Sequence, residues 1–262
     1  MHEAGYRALG LAFAYVPFEV RDLPGALAGM RALGIRGFGV SHPFKQDVIP
    51  LLDELEGVAG RIAAVNTIVN DGRGHLVGHN TDWVGALRAL EETRPLGGAR
   101  VLLIGAGGAG RAIAFGLSER AARTTIANRD LGKAHALAAE TGAVAAAFDE
   151  TTRAAEYDVV VNATTLGQSD VDSVSPVPAE ALHRGQVVMD IVYKPVRTAL
   201  VEAATVRGAS VVHGGRMLLY QAAAQFELYT GRPAPLEVMD EALRRTLAGP
   251  LLAGPLGEAK RA

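Results

Sequence analysis

Gly105-Ala106-Gly107-Gly108-Ala109-Gly110 is the segment of this 262-residue chain whose composition points most directly to chemistry. It follows the apolar run Val101-Leu102-Leu103-Ile104 and leads into a helix-forming stretch, Ala109–Ser118. Gly-x-Gly-x-x-Gly between a strand and a helix suits a dinucleotide. Gly105 permits the tight turn, Gly107 lets backbone approach a pyrophosphate, and Gly110 lets helix and strand pack closely. Gly108 and Ala109 open the helix, so the first amides and the positive dipole end face the phosphates. The end of the next strand, Asn128-Arg129-Asp130-Leu131-Gly132-Lys133, selects the cofactor. An acid there suits the ribose 2′-hydroxyl of NAD, and an arginine suits the 2′-phosphate of NADP. Arg129 stands 24 residues after Gly105, with Lys133 one helical turn beyond. A guanidinium both stacks on adenine and pairs with phosphate. NADP is therefore the expected cofactor, held by the glycine turn with Asn128, Arg129 and Lys133. Asp130 keeps a second reading open, in which its carboxylate neutralises Arg129 or binds a ribose hydroxyl.

Composition removes whole classes of alternative. The chain has no cysteine, which excludes disulfides, thiolate metal sites, iron–sulfur clusters and cysteine nucleophiles. With 26 basic and 28 acidic residues the net charge is −2, which is no footprint for nucleic acid. No apolar run approaches the ~18 residues of a membrane span. Leu9–Val16 reads as a helix end followed by a strand, not as a signal segment, and a cytoplasmic protein is expected. His75 and His79 would share one face of a strand but lie ~13 Å apart along it, too far to hold one ion, so no metal is expected. His42 reads as a surface residue and Trp83 as a packing residue. There is no Gly-x-Ser-x-Gly elbow for a serine hydrolase. Lysine is scarce, with only Lys45, Lys133, Lys194 and Lys260, which singles each of them out.

The elements that must position these residues alternate along the chain. Leu11–Val20 reads as a strand after a short helix closed by Gly10. Asp22 and Pro24 open a helix that runs to Leu33 and stops at Gly34. Gly37–Val40 is a short strand, and Pro43 begins a helix carrying Val48, Leu51 and Leu52. Val65–Asn70 and His75–His79 form a hairpin around Asp71-Gly72-Arg73-Gly74. Strands at Ala99–Ile104, Thr124–Ala127, Asp158–Val161 and Val187–Val192 alternate with helices at Ala109–Ser118 and Leu131–Thr141. That pattern implies a parallel sheet covered on both faces. Arg216–Leu247 is helical, with an interruption at Gly231-Arg232-Pro233, and Ala248–Ala262 is a loose tail. The composition break at Glu91–Gly98 implies two units, with the last helices folding back on the first.

Val40-Ser41-His42-Pro43-Phe44-Lys45, Ala64-Val65-Asn66-Thr67 and Asn80-Thr81-Asp82 resemble the motifs of the shikimate dehydrogenase family. The likeness continues through Asn162-Ala163-Thr164, Asp190-Ile191-Val192-Tyr193-Lys194-Pro195 and Gly214 to Gln221, in the family's order over nearly the whole chain. The resemblance implies an α/β fold in which residues 1–82 and 217–262 hold the substrate. A Rossmann-type doubly wound domain, 83–216, would hold NADP. It implies hydride transfer between NADP(H) and shikimate, in a monomer or homodimer with no nucleic-acid or membrane partner. Lys45 and Asp82 then match the catalytic pair: reducing a ketone puts charge on oxygen, so a proton donor is needed within reach, and a carboxylate orients it. Asn66 and Gln221 match positions that hydrogen-bond substrate hydroxyls, and Ser41 matches a third that is usually threonine. Tyr193 matches a residue near the substrate carboxylate. Gly214 would let the nicotinamide approach backbone, and Thr164 would meet the cofactor at the sheet edge.

Two departures qualify the likeness. Met1-His2-Glu3-Ala4 matches the helix that follows the family's first strand and Ser-x-Ser loop, neither of which precedes it here; a start upstream of Met1 is the expectation. Gly39 stands where the biosynthetic enzymes carry asparagine, and Val-Ser-x-Pro-Phe-Lys is closer to the shikimate-dehydrogenase-like branch. A quinate or other polyol-acid dehydrogenase, and a non-catalytic NADP-binding paralogue, are the alternatives.

Overall fold

Two sheets organise the computed structural model, which describes residues 1–41, 43–168 and 174–248. The six-stranded sheet comprises β5 (Arg100–Ile104), β6 (Arg123–Asn128), β7 (Val144–Ala147), β8 (Val159–Asn162), β9 (Val187–Asp190) and β10 (Ser210–His213). Every pairing in it is parallel, in the order β10-β9-β8-β5-β6-β7. This is the doubly wound order with its reversal between β5 and β8, the place where such sheets bind ligands at their carboxyl ends. Helices α5 (Gly108–Glu119), α6 (Leu131–Thr141) and α7 (Ala199–Val206) supply the cover. Successive strand residues face opposite sides. Val101, Leu103, Val161 and Met189 accordingly enter one core with the residues of α5, while Leu102, Ile104, Val160 and Val188 enter a second with those of α7.

The smaller sheet is mixed. Its strands are β1 (Gly37–Gly39), β2 (Glu54–Leu55), β3 (Thr67–Asn70) and β4 (Leu76–His79), in the order β1-β3-β4-β2. The hairpin β3–β4 is antiparallel, with Thr67 opposite His79. α1 (His2–Ala8), α2 (Leu23–Ala32) and α3 (Gly57–Ile62) belong to this half. Asp22 caps α2 by accepting from the Gly25 amide at 3.0 Å, and Gly34 stops it at φ +64°, as expected.

Two expected elements are different. Leu11–Val20 is not a strand: it is irregular and largely exposed. A strand requires a ladder partner, and among the described residues β1 pairs only with β3. The segment is held by its side chains instead, with Tyr15 stacked on His2 and Phe18 against Phe38. The helix expected from Pro43 is a series of turns over 43–48 followed by a short 3-10 segment, Ile49–Leu51. The carbonyl of Lys45, which a helix would use internally, accepts from the Val65 amide at 2.8 Å. That bond pins the Lys45 turn to the hairpin. His42 and the tail 249–262 lie outside the described residues.

The last helices return to the first half. α4 (Asp82–Glu91) leaves the small sheet and packs on both α5 and α8 (Gly214–Thr230). α8 ends at Gly231, φ +65°, and α9 (Leu236–Ala248) closes on α1, with Tyr6, Phe226, Met239 and Leu243 in one cluster.

His2, in that region, is 7% exposed, and its Nε2 has no hydrogen-bond partner. Burial is the leading cause of its pKa falling to about 4. The unfolded chain takes up this proton near pH 6.5 and the folded chain only near 4, so stability is full above 6.5 and is lost between them. We expect a contribution of about 2 kcal/mol lost between pH 7.5 and 5. Urea unfolding at the two pH values, with His2→Phe showing that much smaller a loss, checks it. An equal acid loss in both proteins would refute the assignment.

Candidate active site

Lys45 follows β1 and Asp82 follows β4; both strands pair antiparallel with β3, so their carboxyl ends lie at one end of the small sheet and the two residues meet there. Nζ of Lys45 donates to Oδ2 of Asp82 at 2.7 Å, with the lysine side chain one-third exposed and the aspartate nearly buried. An ammonium has three donors, so two remain for a ligand. Asp82 opens α4, where the helix dipole favours its negative charge. It does not cap the helix: Oδ1 of Asn80 accepts from the Asp82 amide at 3.0 Å, which releases the Asp82 carboxylate for the site.

Asn66 lies behind the pair. Its Nδ2 donates to Asp82 Oδ1 at 2.8 Å and to Thr81 Oγ1 at 3.0 Å, while its Oδ1 accepts from the Thr81 amide at 2.7 Å. The two carboxylate oxygens of Asp82 are thereby divided between Lys45 and Asn66. Both contacts of the Asn66 Nδ2 are thus made within the protein, to Thr81 and to the Asp82 carboxylate. Ser41 is exposed before the Lys45 turn, its carbonyl accepting from the Phe44 amide.

Gln221 is half-buried on α8, where α4 and α8 cross in backbone contact. A Cβ on Gly85 would lie 2.6 Å from the Met217 carbonyl oxygen and 2.9 Å from Gln221 Cβ. Gly85 sits one turn after Asp82, so the crossing brings Gln221 to the head of α4. At Gly39 the space of a side chain is filled by the Tyr15 hydroxyl, 2.7 Å from where Cβ would be.

The glycine turn fits a dinucleotide. Gly107 and Gly108 have no neighbour within 4 Å of an added Cβ, leaving open space at the start of α5, whereas Gly110 packs on Gly105. Gly105 takes φ +107° beside Ala163 and Thr164, and Ala109 is half-buried within α5. Asn128 stabilises the turn: its Oδ1 accepts from the Ala106 amide at 3.3 Å and its Nδ2 donates to the Asp130 carbonyl. Asp130 caps α6, accepting from the Lys133 amide at 3.2 Å. Arg129 and Lys133 are exposed, and among the described residues neither pairs with a carboxylate within 4 Å. Asp130 is thus engaged with the helix and neutralises neither cation.

Three further residues named from the sequence are placed as follows. The side-chain space of Gly214 is filled by backbone, an added Cβ falling 2.3 Å from the Ile191 carbonyl oxygen, so glycine there serves chain packing. Thr164 spends its hydroxyl on Asn162 Oδ1 at 2.7 Å while standing beside the glycine turn. Tyr193 is 47% exposed on the loop after β9. Residue-by-residue reading also missed Asp190, which is fully buried and accepts from Asn162, Thr198 and the Val192 amide. Burial pushes its pKa up, and those bonds oppose the shift. Its only signal was membership of the motif that contains Tyr193.

The comparisons with known proteins agree over the whole arrangement. Residues 1–68 match the shikimate dehydrogenase substrate binding domain, 88–196 the shikimate / quinate 5-dehydrogenase family, and 214–244 the shikimate 5'-dehydrogenase C-terminal domain. The shikimate dehydrogenase (NADP(+)) of Natronomonas pharaonis is 44% identical over 251 residues, covering 94% of this chain and 93% of that one. A shikimate 5-dehydrogenase of Thermus thermophilus, solved with NADP(H) and shikimate, is 38% identical with a TM-score of 0.85, over 94% of this chain and 93% of the other. The quinate dehydrogenase of Corynebacterium glutamicum, solved with NAD, is 34% identical with a TM-score of 0.87, over 93% and 92%. No described helix is long and apolar enough to cross a membrane. With its motifs in order, its doubly wound sheet and relatives covering nearly its full length, the chain belongs to the shikimate dehydrogenase family.

Proposed function

We propose that this chain is an NADP-dependent shikimate dehydrogenase in which Lys45 transfers the proton and Asp82 orients it. The observation that carries the reading is the 2.7 Å contact of Lys45 with Asp82, at the head of a helix packed against the one that opens at the glycine turn. Residues 1–82 and 217–262 would hold the substrate and 83–216 the cofactor. NADP(H) supplies or removes the hydride at the carbon bearing one hydroxyl. Lys45 Nζ donates a proton to the oxygen as a ketone is reduced, and the same atom takes it back in the oxidation. Asp82 would hold the ammonium in place, and Gln221, Ser41 and Tyr193 would receive substrate groups.

A second reading is a related cyclic polyol acid such as quinate. The absence of a side chain at Gly39, where Tyr15 intrudes, favours it. Initial rates with shikimate and quinate, each with NADP and NAD, separate the two. We expect shikimate with NADP to be fastest, and absence of turnover on both acids would overturn both readings. In the same assay Arg129→Ala should raise the KM for NADP at least about ten-fold, the loss of a charge-assisted phosphate contact, and leave NAD nearly unchanged. A variant that keeps its preference for NADP would show that Arg129 does not read the phosphate.

A further inference from the structure

Gln225 lies one turn beyond Gln221 on α8 and is 4% exposed. Its Nε2 donates to Thr67 Oγ1 at 2.9 Å and to the Asn66 carbonyl at 3.2 Å. The carbonyl accepts only, which fixes the orientation of the Gln225 amide. Thr67 Oγ1 thus receives a hydrogen from Gln225, and directs its own to Asn66 Oδ1 at 2.9 Å. The Thr81 amide, which donates only, reaches the same Oδ1. The Thr81 hydroxyl also lies 3.3 Å from it, and with Oδ1 so held, Nδ2 of Asn66 must point at Asp82, whose other oxygen holds Lys45. Asn66 is 2%, Thr67 0%, Thr81 2% and Asp82 8% exposed, so water has little access to replace a lost member. In such a buried network each bond sets the direction of the next.

We infer that Gln225 is a positioning residue for proton transfer, aligning the Lys45–Asp82 pair through Thr67 and Asn66. The inference rests on the reading of Lys45 and Asp82 as the proton-transfer pair. Without the Gln225 amide, the Thr67 hydroxyl is no longer held toward Asn66 and can turn to Thr81 Oγ1, 3.4 Å away. Asn66 then loses one of the contacts that define its orientation, and the Asp82 carboxylate loses its fixed angle.

The test uses the full chain with shikimate and NADP. Gln225→Met and Thr67→Val should each lower kcat about 10- to 100-fold, the scale on which misplaced catalytic groups act, with KM for NADP within about two-fold. Thr67→Ser, which keeps the hydroxyl, should restore the rate. The double variant Gln225→Met/Thr67→Val should be no slower than the slower single, because one relay is broken in both. On a Lys45→Ala background, Gln225→Met should change nothing further. Wild-type kcat in Gln225→Met, independent losses in the double, or an equal loss on the Lys45→Ala background would overturn the proposal. Should Gln225→Met fail to fold, the two Thr67 variants decide it. A Lys45→Ala enzyme with undiminished kcat would instead overturn the underlying reading, and is visible on its own.

Discussion

Lys45→Ala should lower kcat for shikimate oxidation by about 10² to 10⁴, the range supplied by a positioned acid–base group. The alanine enzyme keeps its glycine turn, so the Kd for NADP should be unchanged. Stability should shift by no more than about 1 kcal/mol, because Lys45 is partly exposed and such ion pairs contribute little. Asp82 would also retain its bond from Asn66. Lys45→Arg should not rescue, since a guanidinium holds its proton too tightly to exchange it and places its donors in a rigid fork. Steady-state rates beside an NADP titration separate these outcomes. An alanine variant with ordinary kcat would show that the proton leaves by another group.

Gly110→Ala is expected to damage fold and binding together. The new Cβ would lie 2.1 Å from the Gly105 carbonyl oxygen. Gly105 has no room to retreat, because a side chain's place on it is already 2.9 Å from the Ala163 carbonyl and from Thr164 Cγ2. The turn must therefore change shape, at about 1–3 kcal/mol of stability. NADP binding should weaken at least ten-fold, about 1.4 kcal/mol. Gly108→Ala is the informative contrast. Its Cβ would meet no protein atom within 4 Å, so the melting temperature should hold while binding suffers from the methyl in the phosphate's path. Thermal unfolding and NADP titration of both variants check this; equal melting temperatures would show that the turn yields more easily than its contacts imply.

How much of this was legible beforehand depended on whether the information was local. The nucleotide-binding sheet was, because its central strands are buried on both faces and read as continuous apolar runs between glycine turns. β7, nearly all alanine, and β2, only two residues long, carry too little strand signal to be noticed. Leu11–Val20 has the composition of a strand and is not one, since pairing is decided by neighbours elsewhere in the chain. Proline at 43 suggested a helix, but Val65 takes the carbonyl that would have extended it. In the site, Lys45, Asn66 and Asp82 were reached through family motifs and are found together. Thr67 belongs to one of those motifs with nothing local to mark a role, and Gln225 carries no signal of its own. Its importance comes from a contact 159 residues away along the chain.

That separation has a consequence for the order in which the molecule is made. At roughly 5–20 residues per second, synthesis of Gln225 follows that of Asn66 by about 10–30 s. All six strands of the nucleotide-binding sheet, Arg100 to His213, are synthesised in the interval. The half that holds the Lys45–Asp82 pair is begun first and finished last, because α8 must emerge before it can lie against α4 and close over Thr67. A nascent chain can thus complete its cofactor-binding sheet while Lys45, Asn66 and Asp82 still await the helix that packs over them. Closure of the Lys45–Asp82 network is one of the final events of biogenesis.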